Sequence, residues 1–123
     1  MVTGDNVMSV VVENDRQYEE MEYHPVKPLE QLTREEKRNL IKEGGVVGMG
    51  GAGFPPHVKL APKDPDAIEY VIANCAECEP YLTSDYRRMI EEPEKLIDGL
   101  KVILSLFPKA KGILAVEDNK PDC

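Results

Sequence analysis

No stretch of the 123-residue sequence approaches the roughly 20 consecutive apolar residues that a membrane-spanning helix needs. Nor does an apolar segment follow Met1 in the manner of a secretory leader. Cysteine is scarce, with three residues, which argues against a disulfide framework and for a reducing compartment. Basic residues are outnumbered 15 to 23, and the net charge of −8 would repel a phosphate backbone, so nucleic acid is excluded as a partner. Internal repeats and low-complexity runs are missing as well, which excludes a solenoid. What remains, 41% hydrophobic and 31% charged residues, suits one globular domain with a modest core.

The centre of the chain holds two loops joined by a short strand. Gly48, Gly50 and Gly53 fit Gly-x-Gly-x-x-Gly. Glycine lets the backbone adopt positive φ and approach a ligand closely, and successive N–H groups in such a loop can cradle a phosphate. Pro56 suits the first position of a short helix over about 57–60, whose start would add free N–H groups and partial positive charge. Lys59 sits one turn in as a point charge. The ordinary dinucleotide fingerprint needs a good strand before it and a long helix after it. Here only Val46 and Val47 precede, and Pro55 and Pro56 follow, so this is a nucleotide loop of another type or a ligand-free turn.

The β-branched, apolar run 68–73 reads as a buried parallel strand. Ligands of open α/β sheets bind beyond the carboxyl ends of strands, where Asn74, Glu77 and Glu79 follow. Asn74 can donate and accept, and the two glutamates can accept from ribose hydroxyls or a ring N–H. A solvated acidic loop would have the same composition.

The flanking segments read as scaffold. The run 7–12 is a candidate strand after a turn at 3–6, and 16–28 is a polar linker. Thr33 and Glu36 form a capping box for a helix to about Glu43, ended by Gly44 and Gly45. Ser84 or Thr83 caps a short helix through Ile90. Pro93 starts a longer helix to about Phe107, with core residues Leu96, Ile97, Leu100, Leu104 and Phe107 at helical spacing. The run 111–116 is a second β-branched strand, so a parallel sheet is implied. Cys75 and Cys78 make a Cys-x-x-Cys, but no fourth ligand stands at cluster spacing, and no metal site is assigned. His24 and His57 are far apart, and His57 reads as structural or at a pocket mouth.

The two loops together resemble the FMN-binding core of the NADH-oxidising subunit of respiratory complex I. More closely, they resemble the RnfC subunits of Rnf ion-translocating ferredoxin:NAD oxidoreductases. The wording that carries this is Gly-Gly-Ala-Gly-Phe-Pro at 50–55, His-Val-Lys-Leu at 57–60 and Ala-Glu-Cys-Glu-Pro-Tyr-Leu-Thr at 76–83. Two departures stand out. Pro56 replaces the usual Thr after Gly-Phe-Pro, and Ala76 stands where the complex I form has Asp, which favours the Rnf branch.

The resemblance implies an α/β fold: a Rossmann-like FMN-binding core with parallel strands, preceded by one strand of a small adjacent β domain. Residues 1–28 would be that strand and linker. Residues 29–123 would be the first part of the FMN/NADH-binding domain, the chain being an excised fragment with little NADH dehydrogenase activity alone. Non-covalent FMN would be held by Gly48, Gly50, Gly51, Gly53, Lys59, Asn74 and Glu77, while Phe54 and Glu79 would face NADH. No catalytic residue is assigned, because the redox chemistry belongs to the flavin. Iron–sulfur (4Fe–4S) clusters are implied only outside this region. The implied function is electron transport between NAD(H), FMN and iron–sulfur clusters or ferredoxin. The implied partners are the other subunits of a membrane-bound complex, ferredoxin or flavin subunits among them. The implied location is cytoplasmic, on the inner face of the membrane. A soluble RnfC-like electron-transfer adaptor for a reductase, such as a proline or cobalamin reductase, and a non-catalytic assembly domain remain alternatives.

Overall fold

The computed structural model describes residues 6, 8–20, 27–49 and 52–123. The turn expected at 3–6 lies almost wholly outside these residues, as do Val7, His24, Gly50 and Gly51.

Residues 8–12, the described part of the run 7–12, do not form the expected strand. Met8, Val10, Val11 and Val12 are exposed, and among the described residues no ladder pairs them. A strand exists only where its N–H and C=O groups find a neighbour, and apolar composition alone does not supply one. Arg16 and Tyr18, in the same exposed stretch, have positive φ.

A turn of 3₁₀ helix, Leu29–Gln31, leads into α1, Arg34–Glu43. The capping box forms in full. Thr33 Oγ1 accepts from the Glu36 N–H at 3.2 Å, and Glu36 Oε2 accepts from the Thr33 N–H at 2.8 Å. Gly45, with φ +66°, turns the chain out of the helix, the conformation for which glycine is favoured. A four-residue helix, α2, Pro56–Lys59, packs against α1.

Two parallel strands make the sheet. β1, Tyr70–Asn74, pairs in register with β2, Lys111–Ala115, so that Tyr70 opposes Lys111 and Asn74 opposes Ala115. The crossover carries α3, Ser84–Glu91, and α4, Pro93–Leu104. Pro93 occupies the first position of α4, as the sequence implies. The helix stops three residues short of Phe107, a position where the following Pro108 disfavours α conformation.

α4 packs on the sheet with Leu104 and Leu100 over Gly112; a Cβ at Gly112 would lie 2.8 Å from Leu104 Cδ1. One sheet face is thereby covered and the other is not. β1 alternates, with Val71 and Ala73 half-buried while Tyr70 and Ile72 are 53% and 60% exposed. The expectation of a fully buried strand is corrected: a single helix layer covers one face only. Ile97 likewise stands at the surface of α4, outside the core assigned to it.

Among the described residues the buried apolar ones are Cys75, Met89, Leu106 and Phe107. Leu106 and Phe107 enter the core from the turn after α4, whose N–H groups bond back to Ile103 and Leu104. Lys37 of α1 is buried too, and its Nζ donates to the Ser105 carbonyl at 3.1 Å. Its charge meets the carboxyl end of α4, where the helix dipole favours a cation. Arg34 and Asp66, 2.5 Å apart, tie α1 to the loop before β1.

Candidate functional site

The glycine loop closes on itself. The Gly48 N–H donates to the Phe54 carbonyl at 3.1 Å, drawing the two ends of the motif together. A Cβ at Gly48 would lie 3.4 Å from that same oxygen. Gly53 has φ +68°, with open space where a Cβ would stand, so the backbone is bare at that residue. Phe54 is 56% exposed beside it. A left-handed glycine with unobstructed backbone is a conformation that recurs in anion-binding turns.

The start of α2 offers less than the sequence implies. The helix has one turn, and the N–H groups of Val58 and Lys59 both donate to the Pro55 carbonyl. Pro56 has no N–H at all. Positive charge for an anion therefore falls to Lys59, an exposed residue in the last turn of α2. His57 Nδ1 is buried without a hydrogen-bond partner.

The acidic loop runs from the carboxyl end of β1 to the start of α3, and its residues have distinct partners. Asn74 Oδ1 accepts from the Ala76 N–H at 3.2 Å, which bends the chain off the strand and leaves the side-chain NH₂ for another acceptor. Cys75 continues the ladder, its N–H donating to Ala115, and the residue is 7% exposed. Burial pushes its thiol up from the ordinary pKa, with Asp85 and Cys123 adding to the effect. Cys75 and Cys78 thus stand in different surroundings, one buried and one exposed.

Glu77 does something its spacing does not announce. Its Oε1 accepts from the N–H groups of both Asp85 and Tyr86, each at 2.9 Å. The expected side-chain caps, Thr83 and Ser84, are not used: Thr83 holds the N-cap position without a side-chain bond. Two orphan donors of α3 are satisfied instead by a carboxylate from the preceding loop, in a favourable place against the helix dipole.

Glu77 and Glu79 line one open cleft of about 450 Å³. The cleft lies beyond the carboxyl ends of both strands, since its opposite wall is Glu117, Asn119 and Lys120 from the segment after β2. Those three residues were not singled out from the sequence. They follow the run 111–116 directly, and parallel pairing is what brings them beside the acidic loop. Lys120 pairs with Glu117, which raises its pKa, and lies over the Tyr86 ring, 6.0 Å from its centroid. The Tyr86 hydroxyl donates to Asp122 at 2.5 Å, and this bond raises the tyrosine pKa. Asn74 lines a smaller neighbouring cleft with Asp85 and Arg88. No described glycine-loop residue is among the lining of the larger cleft.

This arrangement, a closed glycine turn and an acidic cleft at the carboxyl edge of a parallel sheet, is met by a family match. Residues 41–123 match the Nuo51 FMN-binding domain, and the chain belongs to that family. Among individual proteins, it is 43% identical over 114 residues to the RnfC subunit of the proton-translocating ferredoxin:NAD(+) oxidoreductase complex of Clostridium ljungdahlii, covering 92% of this chain and 25% of that protein. Its identity to the counterpart in the Na(+)-translocating complex of Acetobacterium woodii is 41% over 121 residues, 98% of this chain and 27% of that one. The corresponding subunit of the ion-translocating oxidoreductase complex of Vibrio cholerae is 37% identical over 120 residues, 98% of this chain and 15% of the relative. The chain thus spans about a quarter or less of the relatives it matches. The resemblance to RnfC subunits that the two loop motifs carry is borne out. Among the described residues no helix is long and apolar enough to cross a membrane.

Proposed function

We propose that the chain is the FMN-holding part of an RnfC-type NADH oxidoreductase, an electron-transport module of an ion-translocating complex. The observation that carries this is the closed glycine turn with its left-handed, open Gly53, in a chain of the Nuo51 FMN-binding family. The whole protein would pass electrons between NAD(H) and ferredoxin by way of flavin and 4Fe–4S clusters held elsewhere. Residues 29–123 would belong to a Rossmann-like core. Residues 8–12 would pair as the terminal strand of a preceding β domain when its neighbours are present.

In this reading Gly50, Gly51 and Gly53 present backbone N–H groups to the flavin phosphate and ribityl chain, Gly48 holds the turn closed through its bond to the Phe54 carbonyl, and Lys59 supplies the charge. Asn74 offers its side-chain NH₂, while Glu77 offers Oε2, because Oε1 is engaged at α3. Phe54 and Glu79 face the nicotinamide dinucleotide. The flavin, when bound, supplies hydride acceptance and stepwise electron release. The chain's own part is to position, to balance charge and to shape the approach. Location at the inner membrane face would follow from partner subunits. The test is reconstitution: the complete protein, stripped and titrated with FMN, should take up one flavin and hold it through gel filtration. A protein that elutes colourless is the adaptor or assembly module instead.

A further inference from the structure

Within the acidic cleft, one residue holds a conformation that its side chain makes costly. Residues 79–82 form a turn in which the Leu82 N–H donates to the Glu79 carbonyl at 3.3 Å. Pro80 takes the second position and Tyr81 the third, with φ +68°. Proline followed by positive φ marks a type II turn, whose third position belongs to glycine or asparagine. A bulky aromatic residue there is an outlier. The ring is not stabilised by packing, since Tyr81 is 101% exposed. It nevertheless lines the cleft of about 450 Å³ that Glu77 and Glu79 share with Glu117, Asn119 and Lys120. Strained residues of this kind cluster at active sites and ligand clamps. Nothing among the described residues packs on the ring, which leaves its face free for a ligand.

We infer that Tyr81 is a stacking platform for a planar ring of the nicotinamide dinucleotide, a specificity-determining residue beside Glu79. The inference rests on the proposed function. The cleft's chemistry favours a ring over a phosphate at this spot: three carboxylates line it, and its one lysine is paired with Glu117. An aromatic face presented to solvent over a polar floor suits a flat heterocycle whose hydroxyls and N–H groups meet the carboxylates.

The turn provides a clean test, because the variant that removes the ring also removes the strain. In the complete protein carrying FMN, Y81G should unfold at a temperature no lower than wild type and retain its flavin. Its dissociation constant for NADH, measured by titration under anaerobic conditions, should rise roughly five- to a hundredfold, the range for loss of one base–aromatic stack. Y81F keeps the ring and should bind NADH within about twofold of wild type. A wild type that holds FMN and binds NADH, with Y81G binding NADH equally well, overturns this inference and spares the functional reading. A wild type that binds neither overturns both. Y81G that binds NADH normally but no longer co-purifies with the rest of the complex would assign the ring to an interface with a partner protein and overturn the inference as well.

Discussion

Glu77 and Glu79 are two residues apart and line the same cleft, yet they are built in differently. Glu77 is anchored by two backbone donors of α3, whereas no such cap engages Glu79. Glu77→Ala should therefore cost about 0.5–2 kcal/mol of stability, as loss of a helix cap does, and also weaken FMN. Glu79→Gln should leave FMN retention and unfolding unchanged and lower NADH affinity. Separate FMN and NADH titrations of both variants in the complete protein check the division; equal loss of FMN in the two would refute it. Lys59 has a sharper signature, because so little else at α2 serves an anion. A charge-assisted hydrogen bond is worth about 1.5–3 kcal/mol, so Lys59→Ala should weaken FMN about ten- to a hundredfold. Riboflavin, which has no phosphate, should bind with little change. If both flavins lose affinity alike, Lys59 acts through folding. Thr33 with Glu36 was readable from spacing alone, because both partners of a capping box are local. Glu77 as the cap of α3 was not, because its partners lie eight and nine residues on and meet it only once the loop has folded.

Among the elements, α1 has the clearest dependence on pH. The Glu36 carboxyl is lowered from 4.5 to about 2, first by the Thr33 N–H and then by the Lys27 ammonium, 3.0 Å away, and the Thr33 hydroxyl. A carboxyl depressed in the folded state stabilises it fully above the ordinary carboxylate range, and that contribution is lost as pH falls through the folded value. The difference in unfolding temperature between wild type and Glu36→Gln should therefore be open near neutral pH and close between 4.5 and about 2. A gap that stays constant through that window would contradict the assignment. The turn after α4 has the other element-scale vulnerability. Leu106 is 1% exposed, and Leu106→Ala should cost about 2–5 kcal/mol in chemical denaturation, since the hole it leaves is lined on several sides. A loss under about 1 kcal/mol would mean that the site collapses around the alanine. Helical periodicity could find α4 and most of its apolar stripe. It could not find Leu106, which lies past the helix end, nor tell that Ile97 faces outward, because which side of a helix is covered depends on what packs there.

At the scale of the molecule, two β-branched runs and the helices between them sufficed to foretell a parallel pair with a helical crossover. The position of the cleft followed from one rule, that ligands gather beyond the carboxyl ends of parallel strands. What the chain could not reveal was the second wall, Glu117, Asn119 and Lys120, since that depends on strand pairing and not on any local motif. Residues 8–12 show the opposite failure: a good apolar pattern with no strand beside it among the described residues. The sheet face bearing Tyr70 and Ile72 is uncovered for the same reason, that burial is a property of neighbours. Flavin spectroscopy decides whether this chain belongs to a protein that holds FMN without a covalent link, as proposed above. The complete protein, incubated with FMN and passed through gel filtration, should carry the flavin absorbance bands, and acid denaturation should release the flavin as free FMN. Protein that emerges without those bands, or flavin that stays attached after denaturation, would contradict the account.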